Sequence, residues 1–269
     1  MILINVVAMV AVAAAIVMAM LGAEGPAIDR VTMFRDADAA LAIARGGELT
    51  AIAALRRDIA TGPDSDDQTE AWAKVEQRPT SIDGGTFALQ VVDAQARFNI
   101  NDAVGIGEPQ FAAITTALGL DPDIAVRIAA SIAERGRVRD VGDLARAGID
   151  EATLARLRPL VTALPATAPV NVNAAAPPLL AVLVGDPVGG RVLGDRRDRA
   201  GRLTALDFAA TGLRLPAGAG FTSDHFIVTT TVRQGAATVT LTSLLERRRG
   251  PGPGGVVVAI ARWLGPPPS

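Results

Sequence analysis

From Ile2 to Leu21 the chain runs almost without polar side chains; Asn5 is the one strongly polar residue, and no ionisable group appears before Glu24. As a helix, this opening stretch spans roughly 32 Å, enough to cross a hydrocarbon core of about 30 Å. The pattern predicts a membrane helix over residues 1–24. A cleaved secretory signal fits less well, because it carries a basic region ahead of its apolar core and none precedes Met1 in this text. No Lys or Arg flanks the proximal end, so the positive-inside rule has nothing to act on. The expectation is a basic leader already removed, or lying ahead of the sequence given.

Beyond the Gly22 to Pro26 interruption the pattern resumes as an amphipathic helix, with Leu41, Ala44, Leu49, Ile52, Leu55 and Ile59 at three- to five-residue steps. One long helix therefore runs from bilayer into domain, with Pro26 and Gly46-Gly47 as places where it could bend. Thr61-Gly62-Pro63 stops it. An acidic loop follows at Asp64 to Asp67, then a short helix around Trp72.

Thr86 to Ile100 reads as strand, with Phe87, Leu89 and Val91 on one face, and a hairpin is expected at Gly84-Gly85. From Pro109 to Leu164 the period turns helical and contains an echo: Leu118-Gly119-Leu120-Asp121 recurs as Ala147-Gly148-Ile149-Asp150. In each copy glycine permits the turn, aspartate caps the next helix, and Arg127 and Arg156 fall in corresponding places. Short helices are expected near Leu179 to Val184 and over Val188 to Arg199. Strands return at Phe226 to Arg233 and Thr238 to Leu245, paired around Gln234-Gly235, with a last strand over Val256 to Leu264 behind a Gly-Pro hairpin connection at 250–255. The fold class is α+β: a long N-terminal membrane-spanning helix and an antiparallel sheet interrupted by a mostly helical inserted domain. The expected division is 1–24 transmembrane, 25–101 helix continuation and first strands, 102–165 helical insert, and 166–269 short helices and terminal strands.

Composition narrows the chemistry. The 269 residues carry a net charge of -2, so charge balance draws the chain to neither nucleic acid nor an anionic surface. Cysteine is absent, which removes disulfides, thiolate metal sites and cysteine nucleophiles. Lys74 is the sole lysine and His225 the sole histidine, so Schiff-base or histidine catalysis has one candidate each. Ser223, Asp224 and His225 are a triad only as a list, since neighbours on a strand point to alternating faces. A hydrolase would need activity that disappears with His225→Ala. Asp64, Asp66 and Asp67 have oxygens suited to calcium but no glycine-punctuated loop or distal glutamate, so a solvated loop is expected. Arg247-Arg248-Arg249 reads as a solubilising strand end.

The echo also resembles helix-hairpin-helix turns that grip DNA phosphates. Here Asp121 and Asp150 stand where that module usually has a second glycine, and a carboxylate at a helix N-terminus repels phosphate. Arg135, Arg137, Arg139, Arg146, Arg156 and Arg158 could still touch a DNA backbone, so a membrane-tethered DNA-binding protein is the alternative function.

The apolar N-terminus, Glu70-Ala71-Trp72-Ala73, Arg97-Phe98-Asn99-Ile100-Asn101, and Leu164-Pro165 leading to Asn171 and Asn173 occur in an order that resembles the minor pseudopilin K family of type II secretion systems (general secretion pathway protein K). Ser223 to Phe226 and Leu245-Glu246-Arg247 add to the likeness, which covers nearly the whole chain. The resemblance implies a non-enzymatic inner-membrane subunit with a periplasmic domain. It would be cut by the prepilin peptidase, methylated at Met1, and placed at the pseudopilus tip with the minor pseudopilins I and J, and possibly H, to nucleate and cap the filament during export. Ile2, Leu3, Ile4 and Asn5 would belong to membrane assembly, and Trp72, Arg97, Phe98, Asn99, Asn101, Asn171 and Asn173 to a structural signature. The glutamate that most pseudopilins keep at the fifth mature position is Asn5 here, as suits a subunit with none above it, because an unpaired intramembrane carboxylate costs about 2.5 to 3.5 kcal/mol. The family's insert often carries an acidic calcium-linked stretch; Arg127 to Arg137 holds one carboxylate, Glu134, so no cofactor is expected. Nor is nucleic acid.

Overall fold

The computed structural model describes residues 2–62, 64–75, 78–250 and 255–267, with the side chains of 19 and 21–28 outside the description. Met1 and the connection 251–254, both named above, lie outside the described residues.

A single helix, α1 (Ile2–Thr61), opens the chain. Neither Pro26 nor Gly46-Gly47 breaks it. Its far half lies on a five-stranded sheet, and the buried stripe runs through Ala40, Ala44, Gly47, Glu48, Ala51 and Leu55. That stripe keeps the helical period but corrects the expected face: Leu49 is 63% exposed, and its place inside is taken by Glu48, 4% exposed. The carboxylate is tolerated there because Arg262 grips it with two bonds of 2.7 Å and the Ser243 hydroxyl donates to it. Gly47 has a separate reason. A Cβ at that position would meet Thr230 at 2.8 Å and Phe87 at 3.1 Å, so glycine lets the helix axis approach the sheet.

The loop after α1 corrects two expectations. Around Trp72 there is a run of turns and no helix. Asp66 and Asp67 are 1% and 2% exposed, not solvated.

β1 (Thr80–Ile82) and β2 (Gly85–Asp93) form the expected hairpin. β2 stops at Asp93, short of Ile100, because the Asp93 carboxylate accepts the Gln95 amide at 2.8 Å and turns the backbone into a 3-10 turn. Then comes the excursion: β3 (Phe98–Asn99), α2 (Glu108–Ala117), α3 (Pro122–Arg135), a 3-10 stretch at Val141–Ala147, α4 (Glu151–Leu157), β4 (Val161–Thr162), β5 (Val170–Asn171), α5 (Pro177–Val184), α6 (Pro187–Ala200), α7 (Ala205–Thr211) and β6 (Ala219–Gly220). The chain re-enters the sheet as β7 (His225–Gln234), followed by β8 (Ala237–Arg248) and β9 (Val256–Leu264).

The sheet order is β1-β2-β7-β8-β9, antiparallel throughout. Asp93 of β2 pairs with Phe226 of β7, so residues 94–224 leave and return at one end of two adjacent strands. Two main cores result. One joins α1 to the sheet through Ala51, Leu55, Leu89, Phe226 and Leu245. The other lies in the excursion around Phe111, Ile114, Ile128, Leu154 and Leu179. α7, unforeseen above, is fixed by a capping box in which the Thr204 hydroxyl and the Asp207 carboxylate serve each other's backbone.

Candidate functional site

The signature asparagines prove to be backbone staples. Asn99 Oδ1 accepts the Leu164 amide at 3.0 Å while its amide group donates to Ala166 O at 2.9 Å. Asn101 accepts the Val138 amide at 2.8 Å and donates to Leu164 O and Val138 O, both at 2.9 Å. Asn99 thereby pins the segment after β4, and Asn101 both that segment and the stretch after α3, to the chain that follows β2. Asn173 exchanges bonds with Leu203, accepting its amide at 2.7 Å. An asparagine suits this task because its one side chain both donates and accepts, as a backbone peptide does.

Asn171 lies deepest, fully buried, in a polar junction between the loop after α1, β2 and the turn into β7. Its amide group lies within hydrogen-bond reach of Asp66 O at 2.9 Å, Asp93 Oδ2 at 2.8 Å and Ser223 Oγ at 3.0 Å. The Ser223 hydroxyl donates to Asp93 Oδ2 at 2.6 Å. Burial pushes Asp93 up to about 6 despite these donors. Arg247, read above as a solubilising residue, is 1% exposed and closes the junction. It pairs with Asp58 at 2.7 Å and with Asp66, donates to Ser223 O, and lies 4.9 Å from the Phe226 ring centroid. Trp72 meets the same ring edge-on at 5.0 Å and donates its indole N–H to Glu70.

Carboxylate oxygens of Asp58, Asp66 and Glu70 come within 4.8 Å of one another. Asp66 is buried and the other two are half-buried; Arg247 pairs with Asp58 and Asp66 from inside, and Arg249 reaches Asp66 at 3.1 Å. Burial, with the neighbouring carboxylates adding to it, pushes Glu70 up to about 7.

Ser223 is spent on Asp93, and His225 donates its backbone amide to Gln95 Oε1 at 3.2 Å with its ring buried beside the same atom. Burial holds the imidazole below its ordinary pKa. Ser223 and His225 are structural, and the listwise triad is not assembled. α3 supplies only Glu134 as a carboxylate between Arg127 and Arg137, a donor set that does not fit calcium.

The helical echo folds as expected, with Gly119 and Gly148 at φ of 58° and 74° and each following aspartate capping its helix. The amides that a phosphate would need are already used. Gly119 and Leu120 donate to Thr116 O and Thr115 O, and Gly148 and Ile149 to Ala145 O and Leu144 O. Arg127 reaches the Gly148 carbonyl at 3.5 Å, and Arg156 donates to the Leu118 carbonyl, so each copy's arginine is engaged by the other copy's turn.

At the other extreme stands the N-terminal arm. Ile2, Leu3 and Ile4 are 83%, 78% and 72% exposed, Asn5 is exposed too, and apolar exposure runs on through Met18 and Met20; beyond the positions outside the description Val31, Met33 and Phe34 are exposed as well. Among the described residues no helix is long and apolar enough to cross a membrane; the expected span 1–24 includes positions whose side chains are outside the description.

The arrangement is thus a long helix, exposed over Ile2–Met18, whose later part lies on an antiparallel sheet. No protein-family profile matches the chain. It is 29% identical over 268 aligned residues to the type II secretion system protein K of Pseudomonas aeruginosa, covering 82% of this chain and 79% of that one. It superposes with a TM-score of 0.70 on a chain of the crystal structure of the GspK-GspI-GspJ complex from the enterotoxigenic Escherichia coli type 2 secretion system, at 19% identity, covering 88% of this chain and 100% of the other. The likeness to protein K of type II secretion systems read from the sequence is borne out.

Proposed function

We propose that the chain acts at the tip of a pseudopilus, where with I- and J-type minor pseudopilins, and possibly H, it nucleates and caps the filament during protein export. The observation that carries this reading is the division of α1: apolar and bare over Ile2–Val17, buried on the sheet over Ala40–Leu55. A bare apolar helix of that kind needs lipid or other helices around it. The likeness to a protein crystallised with I and J partners supports those partners for this chain. The excursion of residues 94–224 suits an end position, because a body of that size hung from one end of the sheet would obstruct a subunit stacked beyond it.

In the same reading residues 1–24 anchor the chain in the inner membrane, 25–101 and 166–269 make the pilin-like part, 102–165 make the helical insert, and Met1 is the peptidase product and methylation site. The chain performs no chemistry of its own. The test is extraction of the full chain from inner membranes with detergent, in cells that also make I- and J-type partners. Recovery of the three together supports the reading, and recovery from the soluble fraction, free of both, overturns it.

A further inference from the structure

A groove of about 650 Å³ runs between the excursion and the sheet face opposite α1. Its floor is apolar: Ile227, Leu244 and Ala261 face one another across β7, β8 and β9, with Trp263 beside them. Its wall is cationic. Arg97, Arg137 and Arg139 line it, against the single carboxylate of Asp140, which is spent capping its own 3-10 turn through Gly142. Arg262 also borders the groove, but its guanidinium is held by Glu48 on α1.

The three wall arginines are poorly neutralised. Arg137 approaches Asp102 only at 3.8 Å, and neither Arg97 nor Arg139 pairs with a carboxylate among the described residues. Arg97 is the more telling, because it is half-buried, burial pushes its pKa below the arginine range, and its one polar contact is the Arg158 carbonyl at 3.4 Å. A guanidinium desolvated without a counter-charge is costly unless an anion completes it. The floor explains why a free inorganic anion is a poor match: a row of aliphatic side chains and an indole gains only from an apolar partner.

The open edge of β9 lies along the groove, but β9 carries an extra residue there. Leu244 pairs with Ala261 and Leu245 with Ala259, leaving Ile260 as a bulge that interrupts the hydrogen-bonding edge. Recognition must therefore run through side chains and not through addition of a strand.

We propose that this groove is a docking site for an extended acidic segment of another protein, one that alternates carboxylates, for Arg97 and Arg139, with aliphatic side chains, for the Ile227–Leu244–Trp263 floor. It goes beyond the tip reading and does not depend on which filament the chain joins. The probe is a fluorescein-labelled peptide alternating glutamate with leucine, titrated by anisotropy against the full chain in detergent. Saturable binding that weakens with salt is expected. Arg139→Glu, at an exposed position, lowers affinity by about tenfold or more, whereas Arg191→Glu on α6 leaves it unchanged. Arg97→Met lowers affinity as Arg139→Glu does. Equal binding by Arg139→Glu and Arg191→Glu overturns the proposal. So does equal affinity for a glutamate–serine peptide, which would mean charge alone. Displacement of the peptide by anionic vesicles or single-stranded DNA, each more tightly bound through Arg139, would assign the groove to lipid or nucleic acid and overturn it too.

Discussion

Arg127 on α3 reaches the Gly148 carbonyl at 3.5 Å, and Arg156 on α4 returns the contact by donating to the Leu118 carbonyl. The two hairpins of the echo are thus tied crosswise, each helix holding the turn of the other copy. The turns that resemble a phosphate grip are internal fasteners. Replacing Arg127 or Arg156 by alanine should cost about 0.5 to 1.5 kcal/mol each in urea unfolding. Neither should alter retention on DNA at low salt, since the turn amides stay occupied. A loss of DNA affinity confined to Arg156→Ala would restore the nucleic-acid reading.

Asn171→Ala should be much more damaging. It leaves Asp93, Ser223 and the Asp66 carbonyl short of a donor in a fully buried junction, a loss of about 3 kcal/mol. The urea midpoint should fall with little change in slope.

The adjacent glycines of α1 separate two effects. Gly46 has open space around a Cβ, so Gly46→Ala should stabilise by about 0.5 to 1 kcal/mol through helix propensity. Gly47→Ala gains the same propensity but drives a methyl into Thr230 and Phe87, and should destabilise by about 1 to 3 kcal/mol. Thermal unfolding of the two variants, side by side, reads the difference.

Stability should also depend on pH in a definite direction. Glu70 titrates at about 7 in the folded chain and Asp93 at about 6, each raised by burial above the ordinary carboxylate values of 4.5 and 3.8. Between the two values of each group the folded state binds more protons, so the contribution of these two carboxyls falls as pH rises from about 4 to 7 and levels off above, while His225, held below its ordinary value, contributes in the opposite sense. Glu70→Gln should flatten the upper part of that decline and be the more stable protein at pH 8. A wild-type chain that gains stability from these groups over the same interval contradicts the assignment.

What the sequence revealed was local. β7, β8 and β9 announce themselves by alternation over eight or more residues, and the glycine–aspartate turns of the excursion by a repeated local signal. Thr204 and Asp207, three apart, carried a readable capping signal for α7 that the surrounding polarity obscured. The junction was illegible for another reason: Arg247 and Asp66 are partners across 181 residues, and each alone reads as a surface charge. Leu49 was misplaced because periodicity ranks leucine above glutamate for burial, whereas Glu48 is held inside by Arg262, 214 residues away. The asparagines stood out as a motif, but their staple role depends on carbonyls at 138, 164 and 203 that only the fold brings near.

The central claim is that the exposed arm of α1, from Ile2 to Val17, packs among the helices of partner pseudopilins. The chain contains no cysteine, so single cysteines report without background. Val7→Cys on the arm and Arg191→Cys on α6 should be compared in membranes containing I- and J-type partners that carry cysteines along their own N-terminal helices. The account predicts an efficient disulfide or short cross-link from position 7 and none from position 191; no link from position 7, with partners present and the chain in the membrane, would contradict it.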